Sequence, residues 1–402
     1  MNYHIITQDK FFDAYVEDIY KLHQEANNVF WVRGEKGELP WFTSQRKVEY
    51  LGNEYARYVE KLRTLNPQDK LFVSWYDMFI GQAILDSGIE NELYVPVMGG
   101  DLYAEPFWYH ASWLFDSKTL KWLKNNVYYG YPQINWKRKP KNWWKIYDEI
   151  RKRNAFMPEQ CQIYKQKLQT MKRINYIVLP REDIAEYEYI RKLYPGMSCK
   201  FEAGVYSQNY DAASIAPSKQ YQQGEPIKLL VGNSADPSNN YLDAFDWLAK
   251  QIKRNARLIR IHTILSYGDT QNRDFVISKG KALFGENFVP ITSFMKREEY
   301  IAFLNSMDML VMYHNRQQAV GNMMTSITLG KPVFMKACSP IYTMLKEQGC
   351  SSVYDVKKVN FENLEEIIQS ANRDRANNVA IVKKIYSEDT RLNNWRELLK
   401  EG

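Results

Sequence analysis

VGNSADPSNNY, residues 231–241, decides how this chain is read. The apolar run Ile227-Lys228-Leu229-Leu230-Val231 leading into it has the make-up of a buried strand. Gly232 and Asn233 then permit unusual backbone angles, and the following Ser/Asp/Asn cluster supplies helix N-caps. A helix opened by such a turn aims unpaired N–H groups and the positive end of its dipole at an anionic ligand such as a diphosphate. An ordinary capped turn between strand and helix uses the same residues, so the run by itself leaves both readings open.

Working outward, the second half of the chain repeats this unit. Strands are expected at 227–232, 257–265, 288–291, 308–313 and 332–336, separated by helical segments, the rhythm of a parallel sheet covered on both faces. Such sheets bind ligands at the carboxyl ends of their strands, which singles out the loops 232–239, 266–272, 292–295 and 314–321. The first half reads as strands at 3–7, 70–75, 94–98 and 174–179, with helices over 12–23, from about Asp77, and after Arg181-Glu182-Asp183. At 402 residues, two domains of roughly 200 residues each are expected. They are placed at 1–210 and 225–385, joined by a polar linker near 206–226 that holds Pro217, Gly224 and Pro226. Residues 386–402, with Trp395 and Leu398-Leu399, read as a closing helix packing back on the first domain.

Composition narrows the class. No apolar run reaches the ~18 residues of a membrane span, and MNYHIITQDKFF reads as a short strand, not a signal peptide. Cys161, Cys199, Cys338 and Cys350 show no CxxC spacing and no partnered histidines, which fits a reduced cytoplasmic protein without a structural metal. Residues 118–154 hold eleven Lys/Arg against two Asp/Glu, more than the whole net charge of +7. Trp122, Trp136, Trp143 and Trp144 interleave there with Lys137, Arg138, Lys139, Lys141 and Lys145. That mixture suits an anionic bilayer surface, each basic residue contributing about 1 kcal/mol. A solvated helix face and a nucleic-acid patch are the competing readings, and no nucleic-acid partner is expected.

Three further features carry chemistry. NRQQAVGN, residues 315–322, offers Arg316, Gln317 and Gln318 with Gly321 at a strand's carboxyl end, a donor-rich surface for phosphate and sugar hydroxyls. VMGGDLY, residues 97–103, sets Asp101 after a strand and two glycines, as a general base or as a helix cap. The histidines His4, His23, His110, His262 and His314 are not spaced for a metal. His262 reads as packed, His314 as a residue beside the anion site, and His110 as a second candidate base.

Together these runs resemble the glycosyltransferases of family 56, the TDP-N-acetylfucosamine:lipid II N-acetylfucosaminyltransferases of enterobacterial common antigen assembly, 4-alpha-L-fucosyltransferase-like in description. The carrying residues are Leu230 to Ser234 with Asp236, Ser238 and Asn239; Arg316-Gln317-Gln318 with Gly321; Gly330-Lys331-Pro332; and Gly99-Gly100-Asp101-Leu102-Tyr103. Ser266-Tyr267-Gly268 matches the loop after the next strand. The resemblance implies an α/β GT-B architecture, two Rossmann-like domains facing across a cleft, with the acceptor met by the first and the sugar nucleotide by the second. Carried over, Gly232, Asn233, Ser234, Ser238, Asn239, Ser266, Tyr267, Arg316, Gln317, Gln318 and Gly321 hold a dTDP-sugar donor. Asp101 is then the base, and Gly100, Tyr103 and His110 lie on the acceptor side. The acceptor implied is a polyprenyl-diphosphate-linked saccharide at the inner leaflet of the bacterial inner membrane, where the protein sits peripherally on the cytoplasmic face. The transferred sugar implied is 4-acetamido-4,6-dideoxygalactose, for a bacterial surface polysaccharide. No Asp-x-Asp occurs, so no metal or other cofactor is expected. The alternatives are another sugar-nucleotide enzyme of this architecture, of the non-hydrolysing epimerase type, and a non-catalytic nucleotide- or glycan-binding protein.

Overall fold

A computed structural model describes residues 1–9, 11–22, 27–39, 42–103, 105–126, 128–137, 139, 142–204, 225–254 and 258–399. The expected linker at 206–226, but for its last two residues, lies outside them, as do His23, Arg138 and Lys141.

The apolar runs form two wholly parallel sheets. The first contains β1 (Asn2–Ile6), β2 (Asn28–Val32), β3 (Glu49–Tyr50), β4 (Lys70–Val73), β5 (Leu93–Pro96), β6 (Tyr176–Leu179) and β7 (Lys200–Ala203), in the order β3-β2-β1-β4-β5-β6-β7. The second contains β8 (Ile227–Val231), β9 (Ile259–Ile264), β10 (Phe288–Ile291), β11 (Met309–Met312), β12 (Val333–Met335) and β13 (Val353–Asp355), in the order β10-β9-β8-β11-β12-β13. Both orders reverse direction beside their first strand, between β1 and β4 and between β8 and β11. Those are the switch points where open parallel sheets leave a crevice at the carboxyl ends.

The chain divides into two compact units, Met1–His110 with Met157–Asn209 and Ile385–Gly402, and Ala111–Phe156 with Tyr210–Lys384. In the first, His4 is a core residue stacked between Phe30 and Phe72, and burial pushes its pKa down to about 4. The helix Glu388–Leu398 packs in this unit, with Trp395 fully buried edge-on to Tyr15 at 5.1 Å. Arg391 on that helix meets the buried Asp18 carboxylate at 3.1 Å.

Residues 111–156 group with the second unit, not with the 1–210 domain expected for them. The reason is a set of bonds from the helix Ser117–Asn125 to the helix Tyr241–Ile252: the Asp243 carboxylate accepts from the Lys118 and Thr119 N–H groups and from the Thr119 hydroxyl. Trp122 stacks on Phe275 at 4.6 Å, so this one of the four tryptophans is core and not a membrane-facing residue. Trp136, Trp143 and Trp144 are 61–68% exposed, and Lys137 and Lys139 are exposed with them. Among the described residues no helix is long and apolar enough to cross a membrane.

Candidate functional site

At the carboxyl end of β8, Gly232 takes a φ of +67°, and a Cβ there would lie 2.4 Å from the Tyr241 hydroxyl. Only glycine fits this turn, both by angle and by space. The chain does not enter its helix directly. Pro237–Asn239 forms a 3-10 turn capped by Asp236, and the helix begins only at Tyr241. Two of the three amides expected to grip an anion are already used: Gly232 N–H donates to the Val311 carbonyl and Asn233 N–H to Asn239 Oδ1. The reading of 232–234 as an open cradle is therefore corrected. A loop this buried must satisfy its own backbone groups.

This loop acts as a buttress for its neighbour. Gln318 Nε2 donates to Asn233 Oδ1 at 3.1 Å, and Ser238 Oγ lies 2.6 Å from Gln318 Oε1. His314 Nε2 is 2.9 Å from Asn239 Oδ1. Burial holds His314 neutral, its pKa down at about 3, so it braces the loop instead of touching a ligand from the surface. Asn233 Nδ2 also donates to the hydroxyl of Tyr267, whose ring is exposed; Ser266 beside it is half-buried. The stretches 231–241 and 315–322, about 80 residues apart in sequence, thus form one surface on adjacent strands.

A further set of candidate amides for an anion lies in the second stretch. Ala319 adopts a left-handed φ of +58°, and from it the helix Val320–Thr328 starts with no side-chain cap. Gly321 lies in its first turn and Arg316 sits half-buried just before it, its Nη1 on the Gln317 carbonyl. Gln317 Oε1 is buried with no hydrogen-bond partner. An uncapped helix start beside a guanidinium can hold a diphosphate, each N-terminal dipole contact being worth roughly 0.3–1 kcal/mol.

Sequence reading missed what fastens this run. Buried Lys336, one residue past β12, is ion-paired to Asp116, donates to Asn315 Oδ1 at 2.7 Å and lies 4.3 Å from the centre of the Tyr313 ring. Its only sequence signal was a lysine following a buried strand.

In the first unit, Asp101 falls in the short helix Gly100–Tyr103 and is 3% exposed. Its Oδ2 accepts from Met98 N–H at 3.3 Å, whereas Oδ1 is buried with no hydrogen-bond partner. Burial raises its pKa to about 6, against the pull of the Met98 N–H and the charge of Lys167. The carboxylate therefore caps the turn and keeps one buried oxygen without a hydrogen bond. Lys167, wholly buried, donates to the Asp101 and Tyr76 carbonyls; a lysine in the long polar helix Trp143–Lys172 gave no warning of this.

The acceptor-side candidates fare differently. Gly100 lies against Trp75, a Cβ there coming 3.0 Å from the indole. Tyr103 is buried and its hydroxyl donates to Glu186 at 2.7 Å. His110 is buried near Tyr164 and Tyr194, and burial pushes its pKa down to about 4, so it is corrected from candidate base to core residue.

Residues 166–402, more than half of the chain, match the family described as 4-alpha-L-fucosyltransferase, glycosyl transferase group 56. The chain belongs to this family. It is a glycosyltransferase, and with that the epimerase and the non-catalytic binding protein are set aside. Solved structures agree on the fold. A UDP-forming α,α-trehalose-phosphate synthase from Burkholderia vietnamiensis matches with a TM-score of 0.56 at 10% identity, covering 99% of both chains. Sucrose-phosphate synthase from Thermosynechococcus elongatus gives 0.57 at 11%, covering 99% of this chain and 98% of its own. A lipopolysaccharide outer core galactosyltransferase gives 0.54 at 10%, with 99% and 98% covered. The fold of this family 56 transferase is GT-B, two parallel-sheet α/β domains.

Proposed function

We propose that this family 56 enzyme moves a deoxyamino sugar, 4-acetamido-4,6-dideoxygalactose, from dTDP to a polyprenyl-diphosphate-linked saccharide in bacterial surface polysaccharide synthesis. The observation that supports a diphosphate donor is the uncapped helix start at Val320 beside Arg316, braced by the Gln318 bridge to Asn233 and Ser238. The sugar and the acceptor follow from the family resemblance.

In this reading Asp101 takes the proton of an acceptor hydroxyl as that oxygen attacks the anomeric carbon. The bond from that carbon to the diphosphate breaks, and dTDP leaves with the electron pair. Arg316 and the N–H groups of the helix Val320–Thr328 oppose the growing negative charge, so no metal is required. Exposed Trp136, Lys137, Lys139, Trp143 and Trp144 are suited to the inner leaflet of the cytoplasmic membrane, on which the enzyme would sit peripherally. Arg138 of the same patch lies outside the described residues.

The test is mass spectrometry of products from dTDP-, UDP- and GDP-sugars with a polyprenyl-diphosphate-linked saccharide, with and without excess chelator. Transfer from the dTDP-sugar alone, unaffected by chelator, is expected. A preference for UDP- or GDP-sugars overturns the donor, and loss of activity in chelator overturns the metal-free mechanism.

A further inference from the structure

At the switch point of the first sheet, a cavity of about 500 Å³ opens over the carboxyl ends of β1, β2 and β4. None of its lining residues was singled out by the sequence. Its volume lies in the range of about 300–1,000 Å³ usual for small-molecule sites. Its walls are aromatic: Trp75, Tyr58 and Phe79.

The position of Trp75 is enforced. Its φ of +59° is unfavourable for a bulky residue, and its carbonyl accepts from Asp77 N–H at 2.9 Å and from Arg33 Nη1 at 3.1 Å. The indole so held rests against Gly100, the residue before the proposed base in sequence. Backbone strain kept to place one aromatic ring in a cavity is what a stacking platform requires.

The polar lining says which ligand fits. Among the described residues, Asp9, Glu38 and Asp77 line the cavity with one cation, Arg33, whose Nη2 is already 2.8 Å from Asp77. The start of the helix Met78–Ser87 offers no anion site either, since Asp77 accepts from Ile80 N–H and Glu105 from Met78 N–H. A phosphate would meet net negative charge from these described residues. A neutral sugar would find carboxylates to accept its hydroxyls, the Asn53 amide held by Glu38, and an aromatic face for its C–H bonds.

We propose that this cavity seats an uncharged sugar ring of the acceptor, leaving the acceptor's diphosphate and the donor's nucleotide outside it. The assignment rests on the reading above that the acceptor is a saccharide. It commits the first unit to sugar recognition at the carboxyl ends of β1, β2 and β4.

The test uses the full-length enzyme with methyl N-acetyl-β-glucosaminide as a neutral probe, followed by tryptophan fluorescence and ligand-observed NMR, with pyrophosphate and spermidine as charged competitors. Saturable binding that neither competitor displaces is expected. Trp75→Gly removes the ring while relieving the positive φ, so it should fold, and it should weaken probe binding and raise the acceptor KM by about tenfold or more. Glu38→Gln should weaken the probe several-fold. The affinity for dTDP should stay unchanged in both variants. Unaltered probe binding and acceptor KM in Trp75→Gly, or displacement of the probe by pyrophosphate or spermidine, overturns the proposal. Loss of dTDP binding in the native enzyme with probe binding retained would sink the donor assignment and leave this one standing.

Discussion

The two sheets share a topology and differ in charge at the same place. At the switch point of the second, a helix starts uncapped beside Arg316, and the nearby carboxylate of Asp116 is paired to Lys336. At the switch point of the first, the helix is capped twice by acidic side chains, and the described residues lining the cavity include three carboxylates around one engaged guanidinium. The lesson is that a parallel sheet supplies a crevice but not its ligand. Capping decides that: an open helix start favours an anion, whereas a capped one leaves the crevice to neutral groups.

The largest expected effect lies at Asp101. Asp101→Asn should lower transfer by about 10²–10⁴-fold with dTDP affinity intact. In the native enzyme kcat/KM should fall as pH drops through about 6, where the buried carboxylate takes up its proton, and the residual activity of the variant should lack that limb. Stability should move the other way. The folded state holds this proton more tightly than the unfolded chain does, so the charge on Asp101 costs stability as pH rises from 3.8 through about 6. Asp101→Asn should therefore melt no lower than the native enzyme at neutral pH. A variant of nearly full activity and lowered melting temperature would mark Asp101 as a cap only.

A smaller effect is expected where the two loops of the second sheet meet. Gln318→Ala removes the bonds to Asn233 and Ser238 and should weaken dTDP binding several-fold, each lost bond being worth about 0.5–1.5 kcal/mol. Unchanged dTDP affinity would mean the bridge is not needed to shape the site. Smallest is the exposed basic and aromatic patch. Trp143→Ala with Trp144→Ala should reduce co-sedimentation with anionic vesicles by a few-fold, more so at high salt, and leave transfer to a soluble acceptor untouched.

Much of the frame was legible in the residues. The second sheet's strands are continuous apolar runs with turn residues between them, and β8, β9, β10, β11 and β12 all fall where expected. β2, NVFWV, escaped because the polar QEAN before it and its own leading Asn28 mask a strand that pairs with β1. The placement of 111–156 escaped for another reason: it depends on Asp243 and Asn240 capturing backbone N–H groups more than 120 residues away, which no local pattern records. In the site, the joining of 231–241 to 315–322 could be read from strand order and turn chemistry. The internal use of the Asn233 amide could not, because it depends on the side chain of Asn239 folding back. Trp75 was hidden too, since a tryptophan ending the run LFVSW reads as core until its backbone angle is known.

The division of labour between the two crevices is tested most directly by titrating dTDP into the native enzyme, Arg316→Ala and Trp75→Gly by calorimetry. Affinity about tenfold weaker in Arg316→Ala and unchanged in Trp75→Gly is the expected result, a charge-assisted phosphate contact being worth roughly 1.5–3 kcal/mol. Native affinity in Arg316→Ala, or its loss in Trp75→Gly, would contradict the account.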